Sequence, residues 1–100
     1  MVREKIGLMA THIEASRQLV YDAAQLYDAQ KNIRQAAAMA KYLAGQTAVK
    51  VTDQAVQIFG GYGYMKDYPV ERFFRDAQVI NVIGGTPAMH KEVIAKETIG

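Results

Sequence analysis

Before Gly60 almost nothing in this chain can stop a helix. Both prolines, Pro69 and Pro87, lie in the last third of the 100 residues. Proline removes a backbone donor and clashes with the preceding turn, so its absence leaves side-chain spacing to set the structure. Ile6, Met9, Ile13, Leu19, Val20, Ala23 and Tyr27 recur at helical spacing and predict a first helix over residues 3–29. Lys31-Asn32 is the expected break, with Asn32 placed to cap the next helix. That second helix is predicted over residues 33–59. Its expected inner face is Ala40, Leu43, Ala44, Ala48, Val51, Ala55, Ile58 and Phe59. The many alanines, with Gly45 among them, imply close helix–helix approach. Two long helices with a short connection make an antiparallel hairpin.

Residues 60–69, GGYGYMKDYP, cannot continue a helix. A third helix is predicted to start at Pro69 and cover VERFFRDAQVINV, with Glu71–Arg75 and Arg72–Asp76 as i,i+4 pairs. Phe73 and Phe74 are adjacent, so one should enter the core and the other meet a second element or subunit. The stretch VIGGTPAMH, residues 82–90, ends an apolar run, frees the backbone at Gly84 and Gly85, and offers Thr86 as cap and Pro87 as first helical residue. The expected fold is all-α: an up-and-down helical bundle of three to four helices, with residues 1–100 as one domain.

Composition removes several function classes. The net charge of +2 is too small to argue for nucleic acid or an anionic membrane. There is no cysteine, which excludes disulfides and thiolate metal sites. No apolar run approaches the roughly 20 residues of a membrane span. The charged, amphipathic start MVREKIGLMATHIEAS lacks the apolar core of a signal peptide. No metal-ligand spacing, Ser–His–Asp set or paired-acid constellation stands out, and His12 and His90 read as surface or interface residues.

Three stretches are candidate sites, one of them YPVERFFRDAQ, residues 68–78, whose charged pairs read as a solvated face and whose adjacent Phe73 and Phe74 support oligomerisation. In QIFGGYGY, residues 57–64, a left-handed helix cap accounts for one or two glycines. A third, Gly63, between aromatics fits close backbone approach to a ligand or another chain. In VIGGTPAMH the N–H groups of a helix start can face an anion or polar ligand. A plain helix cap is the other reading.

In order and spacing, the segment AMAKYLAGQTAVKVTDQAVQIFGGYGYMKDYPVERFFRDAQVINVIGGT resembles the C-terminal helical domain of acyl-CoA dehydrogenases. The shared features are an Ala-rich helix ending Gln-Ile-x-Gly-Gly-x-Gly, then Tyr-Pro-Val-Glu-Arg, Arg-Asp-Ala, and a Gly-Thr loop opening the last helix. The first helix, MATHIEASRQLVYDAAQLYD, is also similar to the family helix before this segment. The resemblance implies a homo-oligomer, dimer or tetramer, that holds FAD between subunits. It assigns Gln57, Ile58, Phe59, Gly60 and Gly61 to an FAD held mainly by the neighbouring subunit. It places Thr86 and position 88 against FAD, and Gly84 and Gly85 beside the acyl thioester. Position 88 is usually polar or acidic in the family, so Ala88 retains only a backbone contact.

The implied reaction is α,β-dehydrogenation of an acyl-CoA, with electrons passed to an electron-transfer flavoprotein. Its base is a carboxylate, in many members a Glu immediately before the Gly-Thr. Gly84 stands there in this chain. Long-chain and isovaleryl types also lack that Glu and carry the base on an earlier helix, which would precede Met1. No catalytic residue is therefore assigned within the chain. The resemblance also implies that the first helix of the family's bundle is missing, together with an N-terminal helical and a middle β-domain. The isolated chain is expected to be inactive, in the cytoplasm or, in a eukaryote, the mitochondrial matrix. An acyl-CoA oxidase or flavin monooxygenase of the same fold group is an alternative. So is a non-catalytic oligomerisation module, which Gly84 and Ala88 favour.

Overall fold

The computed structural model describes residues 2–60 and 69–100. Four helices run in order: α1 (Val2–Asp28), α2 (Arg34–Phe59), α3 (Pro69–Ile80) and α4 (Pro87–Ile99). Among the described residues none is in a strand, so the fold is all-α as expected. No helix among them is long and apolar enough to cross a membrane.

The α1–α2 turn comes one residue before the expected break. Gln30 takes the left-handed conformation (φ 58°). The Lys31 N–H then reaches back to the Leu26 carbonyl and the Gln30 N–H to that of Tyr27, both at 3.0 Å. This is the double closure of a Schellman cap. Asn32 acts as expected in one respect: its Oδ1 accepts from the Arg34 N–H at 3.0 Å. The residue at the cap position itself is Ile33, whose carbonyl accepts from Ala37 N–H at 2.7 Å.

α2 is the axis of the molecule. Among the described residues α1, α3 and α4 each pack on α2 and none packs on another. On one face, Ser16 of α1 donates to Thr47 Oγ1 at 2.8 Å, and both residues are buried. On the opposite face, Asn81 lies against Gly45, and Lys41 donates to the Ile80 carbonyl at 2.7 Å. Nearer the start of α2, Arg34 pairs with Glu97 at 3.0 Å and Gln35 donates to Thr98 at 2.8 Å, fixing α4 antiparallel to α2. The result is elongated, 47 × 25 × 24 Å. Its radius of gyration, 15.6 Å, exceeds the roughly 13 Å of a compact 100-residue domain.

The elongation explains where the expected core was misassigned. Of the inner-face residues proposed for α2, only Ala40 is buried; Leu43, Ala44, Ala48, Val51, Ala55 and Ile58 are half-buried, and Phe59 is exposed. The buried positions are Ala38, Ala40, Gly45, Thr47 and Val56. α2 is gripped on two opposite faces, so its core residues alternate between them, and the row Ala44, Ala48, Ala55 falls in between. On α1 the correction is similar. Met9, Leu19 and Ala23 are half-buried, whereas Ile6, Ile13, Val20 and Tyr27 stay exposed and Ser16 is the buried residue.

α3 begins at Pro69 and ends two residues short of the expected span. Val70 and Ala77 are its buried residues. Glu71 and Arg75 pair at 2.9 Å. Arg72 and Asp76 do not; the Arg72 guanidinium instead stands 5.9 Å from the Phe73 ring centroid. Phe74 is half-buried and Phe73 exposed, the division expected of adjacent aromatics.

Candidate functional site

The last helix opens as its sequence dictates. Gly84 and Gly85 take φ of 81° and 118°, a region closed to most side chains. Thr86 then returns to extended backbone (φ −79°, ψ 160°), and its Oγ1 accepts from the Met89 N–H at 3.2 Å. Pro87 supplies no N–H. The His90 N–H is held by the Thr86 carbonyl at 3.1 Å. Ala88 is left as the one residue of this first turn whose N–H meets no acceptor among the described residues. The Thr86 hydroxyl, having accepted, keeps its own proton for an outside partner.

Neighbouring side chains support the turn from behind. A Cβ on Gly85 would stand 3.0 Å from His90 Nε2 and 3.3 Å from its Cε1. His90, expected at the surface or an interface, is half-buried against the glycine, and its Nε2 is buried with no hydrogen-bond partner among the described residues. Beside Gly84 the nearest group is Lys41 Cε, 3.5 Å from where a Cβ would be. The φ of Gly84 makes any side chain there strained. His12, also expected at the surface or an interface, is half-buried on the α1–α2 seam, in a crevice shared with Met9 and Val51. Among the described residues no group of three or more His, Cys, Asp or Glu could hold a metal ion.

The other candidate lies at the far end of α2. Gly60 ends the helix with φ 64° and its N–H donates to the Gln57 carbonyl. Among the described residues nothing lies within 4 Å of where its Cβ would be. Gln57 is exposed, and both ends of its amide are engaged: Nε2 donates to Asp53 Oδ2 at 3.1 Å and Oε1 accepts from Lys5 Nζ at 3.2 Å. Ile58 is half-buried and Phe59 exposed. Gly61, the remaining residue of this candidate, and Gly63 beyond it lie outside the described residues.

One chain does not bring the two candidates together. The Gly84 turn sits beside Lys41, and Gln57 is sixteen residues further along α2, about 24 Å at 1.5 Å per residue. Thr86 carries the most testable part of the turn. Thr86→Ala removes the cap and is expected to lower stability by about 1 kcal/mol, read as a fall in Tm of about 4–8 °C, whereas Thr86→Ser keeps it.

The described residues form a helical domain with two glycine-bounded helix ends, at Gly60 and at Gly84–Gly85. The chain belongs to the acyl-CoA dehydrogenase family: the family model for the acyl-CoA dehydrogenase C-terminal domain matches residues 1–99. It is 46% identical over 99 residues to a cyclohexane-1-carbonyl-CoA dehydrogenase of Geobacter metallireducens, covering 99% of this chain and 26% of the relative. Among solved structures it is similar to butyryl-CoA dehydrogenase from Megasphaera elsdenii, with TM-score 0.95, 41% identity, and coverage of 98% of this chain and 26% of that one. It is equally similar, at TM-score 0.95 and 45% identity, to a chain in the structure of the electron transferring flavoprotein of Acidaminococcus fermentans, covering 97% and 26%. The chain thus spans about a quarter of the length of the proteins it matches.

Proposed function

We propose that residues 1–100 serve as one partial domain, the C-terminal helical part of an FAD-dependent acyl-CoA dehydrogenase that acts on acyl-CoA in the cytoplasm as a homo-oligomer. The observation that carries this is the turn at Gly84–Ala88: two side-chain-free residues, a fixed Thr86 hydroxyl and one unclaimed N–H at Ala88. That donor set fits a cofactor bearing carbonyl and phosphate acceptors. Bound FAD supplies the acceptor for the hydride that leaves the substrate β-carbon, and an electron-transfer flavoprotein takes the electrons onward.

Within this chain the work is positioning. Thr86 donates through its hydroxyl, and Ala88 through its backbone alone, to the flavin side of the site. Gly84 and Gly85 leave room for the acyl thioester. Gln57, Ile58, Phe59, Gly60 and Gly61 meet the cofactor of a neighbouring subunit. The distance between the two candidates supports this division, because contacts so far apart serve a cofactor shared between chains. Gln57 would exchange its bonds to Asp53 and Lys5 for the ligand. The carboxylate that takes the α-proton comes from outside the turn, since Gly84 has no side chain.

Titration of the chain with FAD, together with native mass measurement, tests this. Stoichiometric FAD on an oligomer, weakened by Thr86→Ala and accompanied by no turnover of acyl-CoA, is expected. An oligomer without FAD affinity would instead identify a non-catalytic assembly module.

A further inference from the structure

The loop that carries Thr86 and Ala88 is seated on a single turn of α2. α3 closes its own end only in part. The Asn81 N–H donates to the Ala77 carbonyl at 3.2 Å, and the Val82 and Ile83 N–H groups share that of Val79 at 3.0 and 3.2 Å. The last carbonyl, at Ile80, is claimed from another helix: Lys41 Nζ donates to it at 2.7 Å. α3 has no basic residue in its own last turn. A helix end gathers unpaired carbonyls and partial negative charge, and a cation there is favourable. Lys41 supplies that cation across the α2–α3 contact. Among the described residues no carboxylate pairs with it, so its charge is directed at the helix end.

The same side chain continues to the glycines. Its Cε lies 3.5 Å from where a Cβ on Gly84 would stand. One turn further along the same face of α2, Gly45 receives Asn81, whose Cα lies 3.8 Å from the Gly45 Cβ position. On the other side of the loop, Lys91 of α4 stands 5.5 Å from the ring centroid of Tyr42, the residue next to Lys41. Residues 80–84 and residue 91 are thus both tied to α2 between Lys41 and Gly45, and Thr86 to Ala88 span the interval. Gly84 and Gly85 give the loop little stiffness of its own. Its direction therefore comes from what it rests on.

We propose that Lys41 is a positioning residue for the cofactor: its ammonium, by closing the end of α3, sets where the Thr86 hydroxyl and the Ala88 N–H are presented. It acts through Ile80 and Gly84 and touches neither donor. This rests on the reading of Thr86 and Ala88 as FAD donors, but the seat itself is measured without FAD.

The test uses the full chain and reads amide exchange residue by residue beside FAD titration. In Lys41→Met, exchange at Val82 and Ile83 should quicken about fivefold and the Kd for FAD should rise about as much, the scale of one cation at a helix end. The Gln30 and Lys31 amides, bonded in the distant α1–α2 turn, should not change. The absence of cysteine allows a chemical rescue. Lys41→Cys should show the same losses. Alkylating its thiol with bromoethylamine restores an ammonium at nearly the native length, and should restore both protection and FAD affinity. Alkylating it with bromoethane restores the length without the charge, and should restore neither. Equal recovery with both reagents, exchange at Val82 and Ile83 indifferent to Lys41→Met, a loss spread equally to Gln30 and Lys31, or an FAD Kd that does not follow the ammonium would each overturn the proposal. A parent chain that binds no FAD overturns the cofactor reading instead, and the exchange measurements then decide the seat by themselves.

Discussion

Gly45→Val is expected to lower the stability of this chain by about 3 kcal/mol, the upper part of the range for overfilling a packed contact. Gly45 is buried in the middle of α2, where Asn81 closes on it from the turn after α3. A Cβ there would overlap the Asn81 Oδ1, stand 3.3 Å from its Cγ and 3.8 Å from its Cα. The amide can rotate away from one methyl, but the backbone Cα cannot retreat from the branched carbons of valine without moving α3. Alanine separates the two effects. It relieves the helix of glycine's propensity deficit, about 1 kcal/mol, which offsets most of the cost of displacing the Asn81 amide. Gly45→Ala should therefore fall within about 1 kcal/mol of the parent. Gly7→Ala is the control, because among the described residues nothing lies within 4 Å of its Cβ position; it should gain about 1 kcal/mol. Chemical denaturation of the three variants checks the order, and a Gly45→Val chain as stable as the parent would refute the close approach.

The second large effect is expected at Gly85. Its φ of 118° lies where L residues are strained by about 1–3 kcal/mol, and the added carbon would press on the His90 imidazole at 3.0 Å. Gly85→Val combines both costs, for a total of about 3 kcal/mol. Pairing it with His90→Ala tells them apart. If the imidazole is the obstacle, the double variant recovers part of the loss; the portion that persists belongs to the backbone. Full recovery would show that φ carries no cost. No recovery would show that His90 does not back the turn. The same geometry bears on Gly84, where φ of 81° argues that Gly84→Glu would destabilise the turn.

Where the chain turns was legible because the signals are local. Thr86 and Pro87 announce a helix start through backbone chemistry that needs no partner, and Gly60 and Pro69 bound the helices on either side of 61–68 in the same way. The Ala-rich run gave the close approach at Gly45. Which face of α2 is buried was not legible. Periodicity separates apolar from polar positions but does not say on how many sides a helix is packed. The row Ala44, Ala48, Ala55 has the spacing of a core face, yet it falls between the two faces on which α2 is packed and is half-buried. For the same reason Ile6 and Ile13 read as core while Ser16, whose burial depends on Thr47 of another helix, did not. His90 was missed because its environment is set by a turn that folds Gly85 back beneath it. Of the site, the sequence marks the glycines and Thr86. The free donor at Ala88 emerges only when each N–H of the first turn is traced to its acceptor.

The dependence of α1, α3 and α4 on α2 alone has a consequence for how the molecule comes apart. With no contact among themselves in the described residues, these three helices share cooperativity only through their common support. Amide exchange should then be graded rather than uniform: α4 can detach while the α1–α2 hairpin keeps its protection, and opening of α2 releases everything at once. Because only residues 29–33 join α1 to α2, the hairpin can close outward from a short loop, and the C-terminal helices dock on a finished surface. A chain built this way can let go of the Gly84 turn without unfolding, which suits a segment whose final fit is made against other molecules.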